Sequence, residues 1–162
     1  MAKLEAGDKA PSFELMDQSG KTVKLSDFKG KKVLVYFYPK ADTLGCTKQA
    51  CSVRDAGPDL EVDGVAAIGI SPYKPEKQKK FDEKYGLGFP LLSDEDHSVA
   101  KAYGAWGTKK MYGKSYEGII RSSFLIDEKG IILQAWYKVS PADTAPNVRK
   151  ALRTPPKEWA GS

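Results

Sequence analysis

At 162 residues, 41% of them hydrophobic and 29% charged, the chain has the size and balance of one soluble globular domain, which excludes disordered and fibrous classes. The net charge of +5 comes from scattered lysines and one denser run at residues 74–84 that also carries acids; without interleaved aromatics it describes a solvated helix face and argues against nucleic-acid binding. No stretch approaches the roughly 20 apolar residues of a membrane helix, and the opening MAKLEAGDKA lacks the apolar region of a secretory signal, so a cytoplasmic protein that does not enter membranes is expected.

In chain order, Phe13 and Leu15 alternate with polar residues, residues 17–20 (DQSG) supply turn chemistry, and Val23 and Leu25 alternate again, which predicts a small hairpin. The continuous run at residues 33–38 (VLVYFY), closed by Pro39, suits a central strand buried on both faces. From Thr43 to about Leu60 the spacing of Ala50, Val53 and Ala56 predicts a helix whose beginning holds both cysteines. Residues 65–70 (VAAIGI) read as a second buried strand, and residues 75–85 as a charged helix with Phe81 and Tyr85 four apart. Residues 123–126 and 131–133 flank the turn DEKG and predict an antiparallel pair, followed by a last helix near residues 147–152. Without repeats or a linker, residues 1–162 are expected to form a single mixed α/β domain, with 154–162 a loose tail.

The two cysteines carry the chemistry. A cysteine in the first turn of a helix that follows a strand faces unpaired amide N–H groups and the positive dipole end, which favour the thiolate, the nucleophilic form. Cys46 fits that position. The spacing to Cys51 is not the Cys-x-x-Cys of thiol oxidoreductases, and two cysteines with one histidine cannot fill a tetrahedral zinc site. On one regular helix, positions 46 and 51 would have Cα atoms about 8.6 Å apart on nearly opposite faces, whereas a disulfide needs them within about 7 Å. Either the pair never bonds, Cys51 being a small core residue, or it bonds only when the first turn unwinds.

The segment from Tyr38 to Cys51 (YPKADTLGCTKQAC) resembles the active-site loop and helix of peroxiredoxins, in particular their bacterioferritin comigratory protein or Q-type branch. Its Pro-x-x-x-Thr-x-x-Cys pattern is carried by Pro39, Thr43 and Cys46, and the likeness runs from residues 6–11 (AGDKAP) through 91–94 (LLSD) and 106–107 (WG) to 121–127 (RSSFLID). The resemblance implies a thioredoxin-like fold and a thiol peroxidase that reduces hydrogen peroxide and organic hydroperoxides, without metal or cofactor, as a monomer recycled by thioredoxin or a similar dithiol. It further implies Cys46 as the peroxide-attacking cysteine, Cys51 as the resolving one, Thr43 as a hydroxyl to the peroxide, Arg121 as the cation for thiolate and transition state, and Pro39 as a shield, with Gly45 and Gln49 completing the substrate site. Two positions depart from the pattern: Leu44 stands where this branch often has proline, and Gln49 where many peroxiredoxins have a glutamate bonded to the arginine. A glutamine can accept that hydrogen bond but supplies no charge.

Rival functions are a thiol–disulfide oxidoreductase, which would reduce protein disulfides without consuming peroxide, and a noncatalytic redox sensor. Of the remaining polar residues, His97, the only histidine, follows SDED at a helix entry and carries no expected role, while Asp94 and Asp96 read as helix-start charges. Tyr103 and Trp106 either line the pocket rim or pack beneath a loop.

Overall fold

The computed structural model describes residues 4–39, 44–111, 113–140 and 143–153. Among these residues nine strands and four α-helices follow in the order β1 (Glu14–Met16), β2 (Thr22–Lys24), β3 (Lys32–Phe37), α1 (Leu44–Val62), β4 (Val65–Ser71), α2 (Pro75–Tyr85), β5 (Leu91–Ser93), α3 (Ser98–Ala102), β6 (Trp106–Met111), β7 (Lys114–Ile119), β8 (Ser122–Ile126), β9 (Ile132–Trp136) and α4 (Thr144–Arg153). Seven strands form one mixed sheet in the order β2-β1-β5-β4-β3-β8-β9, and β6 and β7 pair only with each other.

The strands with continuous apolar runs lie at the centre. β3 pairs in parallel with β4, Val35 opposite Ile68, and antiparallel with β8, Val35 opposite Phe124. Its side chains divide by parity, as a pleat requires. Val33, Val35 and Phe37 enter one core with Phe13, Ile70, Val99, Tyr103 and Phe124. Leu34, Tyr36 and Tyr38 enter the other with Cys46, Ala50, Val53, Leu60, Phe81 and Val148. One face of the sheet therefore carries α1, α2 and α4, and the opposite face carries α3 and the N-terminal segment.

The helix expected from about Thr43 to Leu60 runs from Leu44 to Val62, with Thr43 itself outside the described residues. Its buried side chains Cys46, Ala50, Val53, Ala56 and Leu60 recur every three or four positions, the stripe that binds a helix to a sheet. Pro58 sits inside it; lacking an N–H, it leaves the carbonyl of Arg54 without its helical donor. α2 follows its predicted bounds and ends at Gly86, whose φ of 57° gives the left-handed C-cap that its amide closes by donating to the Asp82 carbonyl.

The predicted N-terminal hairpin forms with Leu15 opposite Val23, and Asp17 organises its turn by accepting from the amides of Ser19 (2.8 Å) and Lys21 (3.0 Å). Leu25 turns into a short 3-10 segment instead of extending the strand. The tail at 154–162 lies outside the described residues.

Asp94 acts where a helix-start charge should. Only 1% exposed, its carboxylate accepts from the amides of Val99 (3.2 Å) and Ala100 (2.9 Å). Burial pushes its pKa up, with those two amides opposing. A folded-state value above the unfolded one means that the native state holds its proton longer, so stability falls as pH rises through the window just above the ordinary carboxylate range. Asp94→Ala is expected to strand two buried N–H groups and cost about 2–4 kcal/mol, lowering the melting temperature by roughly 5–15 °C. It should also flatten that part of the pH–stability curve, which thermal melts between pH 4 and 6 will measure.

Candidate active site

The parallel strand β3 delivers the chain to the start of α1, so the carboxyl end of the central strand and the amino end of the longest helix meet at one place. Cys46 is the third residue of that helix, where its own amide and that of Gly45 have no acceptor within the helix. The residue is 1% exposed and its thiol is free.

β8 runs antiparallel to β3 with Ser122 opposite Phe37, which places Arg121, immediately before it, at the same end of the sheet. The Arg121 backbone is held there by its carbonyl accepting from Val139 N at 3.0 Å. From this position its Nη2 donates to Cys46 Sγ at 3.3 Å, while Nη1 donates to Gln49 Oε1. The planar fork of a guanidinium serves two acceptors at once without changing its orientation.

Gln49 lies three residues after Cys46 and so on the same side of the helix. Fully buried, its amide is fixed from the other end, Nε2 donating to Thr144 Oγ1 at 2.7 Å. The chain Thr144–Gln49–Arg121–Cys46 thus links α4, α1 and the start of β8 to one sulfur. The expected acceptor role of Gln49 is present in the geometry. Thr144 was not foreseen: 95 residues separate it from Gln49, and a threonine at a helix start carries no signal beyond capping.

Pro39 is half-buried at the end of β3, and Thr43 lies outside the described residues. Cys51 is a free, half-buried thiol packed against the core beneath α1. It shares one unbroken helix with Cys46, the arrangement that keeps the two sulfurs on different faces. One turn further on, Arg54 donates from Nη1 to the Tyr85 carbonyl at 2.6 Å and from Nε to Asp55 at 2.9 Å, tying this part of α1 to the end of α2.

The other polar candidates fall away from the sulfur. His97 stacks on Trp106 with ring centroids 4.3 Å apart and precedes α3, on the opposite face of the sheet from α1. Tyr103 is fully buried, with its hydroxyl donating to the Pro11 carbonyl at 2.7 Å, and so packs in the core instead of lining a rim. Among the described residues, no cluster of His, Cys, Asp or Glu could hold a metal ion, and no helix is long and apolar enough to cross a membrane.

A cysteine at a helix start, held by an arginine from the neighbouring strand, is the arrangement that the sequence resemblance implied, and comparison with known proteins agrees: the model of the AhpC/TSA family matches residues 6–135. The chain belongs to the AhpC/TSA family, as a peroxiredoxin of the bacterioferritin comigratory protein branch. Peroxiredoxin Bcp of Escherichia coli is 57% identical over 132 residues, covering 82% of this chain and 85% of its own. Among solved structures, a Xylella fastidiosa peroxiredoxin Q mutant superposes with a TM-score of 0.88 at 29% identity, covering 94% of this chain and 98% of that one. The Xanthomonas campestris bacterioferritin comigratory protein, studied for alkyl peroxide reduction through trapped intermediate and ligand complexes, superposes with a TM-score of 0.82 at 34% identity, covering 87% and 90%. The fold of this peroxiredoxin is accordingly thioredoxin-like.

Proposed function

We propose that Cys46 is the nucleophile of a thiol peroxidase acting on hydrogen peroxide and organic hydroperoxides, with Arg121 as its electrostatic partner and Cys51 as the resolving thiol. The observation that carries the reading is the 3.3 Å contact between Arg121 Nη2 and the buried Cys46 sulfur. The thiolate attacks one peroxide oxygen; an S–O bond forms as the O–O bond breaks, and the departing alkoxide or hydroxide takes up a proton. Sulfur is oxidised by two electrons to sulfenic acid.

During attack, charge passes from sulfur to the leaving oxygen. A permanently charged guanidinium beside the sulfur, together with the helix-start amides of Gly45 and Cys46, stabilises that spread of charge more than it stabilises the ground state. Gln49 holds the guanidinium in place. Pro39 shields the pocket, and the Thr43 hydroxyl hydrogen-bonds the peroxide.

In the second step the Cys51 thiol attacks the sulfenic sulfur, an S–S bond forms, and hydroxide leaves as water. A dithiol protein such as thioredoxin then reduces the bridge and is itself oxidised. We read the protein as a cytoplasmic monomer, a compartment in which a free cysteine pair is kept reduced between turnovers.

Stopped-flow mixing with hydrogen peroxide, followed by intrinsic fluorescence, tests the reading directly: a fast second-order phase followed by a slower concentration-independent one is expected. Slow, peroxide-independent oxidation would point to a sensor or disulfide exchanger. For Cys51→Ser the expected result is one equivalent of peroxide reduced, a stable sulfenic acid by mass spectrometry, and thioredoxin-supported turnover lowered at least 100-fold. Full turnover in that variant would place the resolving thiol outside the chain.

A further inference from the structure

Tyr36 of β3 and Tyr38, the residue just past its end, point into the core beneath α1 and α2, both essentially unexposed. Their hydroxyls are treated differently. Tyr38 donates to Gln78 Oε1, whose amide in turn donates to the Leu92 carbonyl at 3.1 Å. Tyr36, fully buried, has a hydroxyl with no hydrogen-bond partner among the described residues. On the strand side the ring and hydroxyl of Tyr36 pack against Gly69, 3.0 Å from where a Cβ on that residue would be. The Tyr38 ring is 5.6 Å away and the Phe89 ring 6.2 Å, centroid to centroid. On the helix side the same core cluster contains Cys46, Ala50 and Val53, with Cys51 packed against it, the stretch of α1 that must unwind if the two cysteines are to bond.

We infer that the Tyr36 hydroxyl is a positioning group for disulfide formation, unpartnered while α1 is wound and taking a hydrogen-bond partner among the backbone groups of residues 46–51 when that turn unwinds. The inference rests on the reading of Cys51 as the resolving thiol. A buried hydroxyl without a partner works against the state that buries it, by roughly 5- to 150-fold in an equilibrium constant. Unwinding frees helical carbonyls and amides that are costly to bury alone, so orphan donor and orphan acceptor cancel one another's cost in the unwound state. The phenol is a neutral donor, because burial, followed by the neighbouring Tyr38 and Cys46, pushes its pKa well up.

The test is Tyr36→Phe, which removes one oxygen and no packing volume, read beside Tyr38→Phe. For Tyr36→Phe the expected result is a reduced form that melts no lower than wild type, with the slow disulfide-forming phase slowed 5- to 20-fold relative to the fast peroxide phase of the same trace. Tyr38→Phe should do the reverse, melting several degrees lower because it strands Gln78, with the ratio of phases unchanged. A lower melting temperature for reduced Tyr36→Phe, or a wild-type ratio of phases, overturns the inference. Mass spectrometry of oxidised wild type separates the two possible failures: with a Cys46–Cys51 bridge present and the ratio unmoved, the Tyr36 role alone is wrong. Without the bridge, both that role and the resolving role of Cys51 fall.

Discussion

Cys46→Ser is expected to lose peroxide reduction entirely while keeping the fold. Serine is nearly isosteric, and its hydroxyl can accept from Arg121 where the sulfur does at 3.3 Å, so neither the packing of the buried site nor the guanidinium loses its partner. What disappears is the nucleophile, since an alcohol is scarcely ionised at neutral pH and a thiolate is the species that attacks. Circular dichroism and a melting temperature within a few degrees of wild type should accompany a peroxide rate below about one-thousandth of the original, at the background of buffer. Substantial turnover in this variant would refute the assignment of Cys46, because the only other thiol, Cys51, lies on another face of the helix.

Both the central strands and the start of the long helix could be read before the structure was known, and for the same physical reason. A strand covered on both faces has to be apolar at every position, so residues 33–38 and 65–70 stand out from any solvated segment. The β6–β7 hairpin was not legible. β6 and β7 pair only with each other, and a two-stranded ribbon that meets the core only through Trp106 and Ile119 at its base needs no apolar alternation along its length to announce it. β5 is three residues long, too short to show a period. As a strand it was not foreseen, Leu91 and Leu92 entering only through the family resemblance although both are fully buried.

The site divides in a similar way. Local chemistry singled out Cys46 through its place at a helix start, whereas Arg121 is 75 residues away and entered through the resemblance; nothing in its own neighbourhood marks it as the residue that the β3–β8 pairing brings to the sulfur. Thr144 had no such help. The glutamine at position 49 was one of two departures from the usual pattern, and the structure gives its physical answer. A neutral amide has both an acceptor for Arg121 and a donor for Thr144, a bridge that a carboxylate, which only accepts, makes only when the threonine hydroxyl donates instead.

That bridge sets what removing the arginine should do. Arg121→Ala takes a cation from beside the sulfur and a donor from Gln49, and removing one such preorganised transition-state group typically costs 10²–10³ in rate. The expected result is a fall of that size in the second-order peroxide phase, with the later disulfide-forming phase much less affected because it does not develop charge on a departing peroxide oxygen. Arg121→Lys keeps the charge but loses the planar fork, and an ammonium cannot reach sulfur and amide in the same fixed geometry, so it should recover only part of the loss. Gln49→Ala separates positioning from charge: the guanidinium remains but is no longer held, and a drop of about 10-fold in the same phase is expected, with fold and second phase preserved. If Arg121→Ala reacts with peroxide within a factor of 3 of wild type, the guanidinium stabilises the resting sulfur alone, and the transition-state charge is carried by the helix-start amides of Gly45 and Cys46.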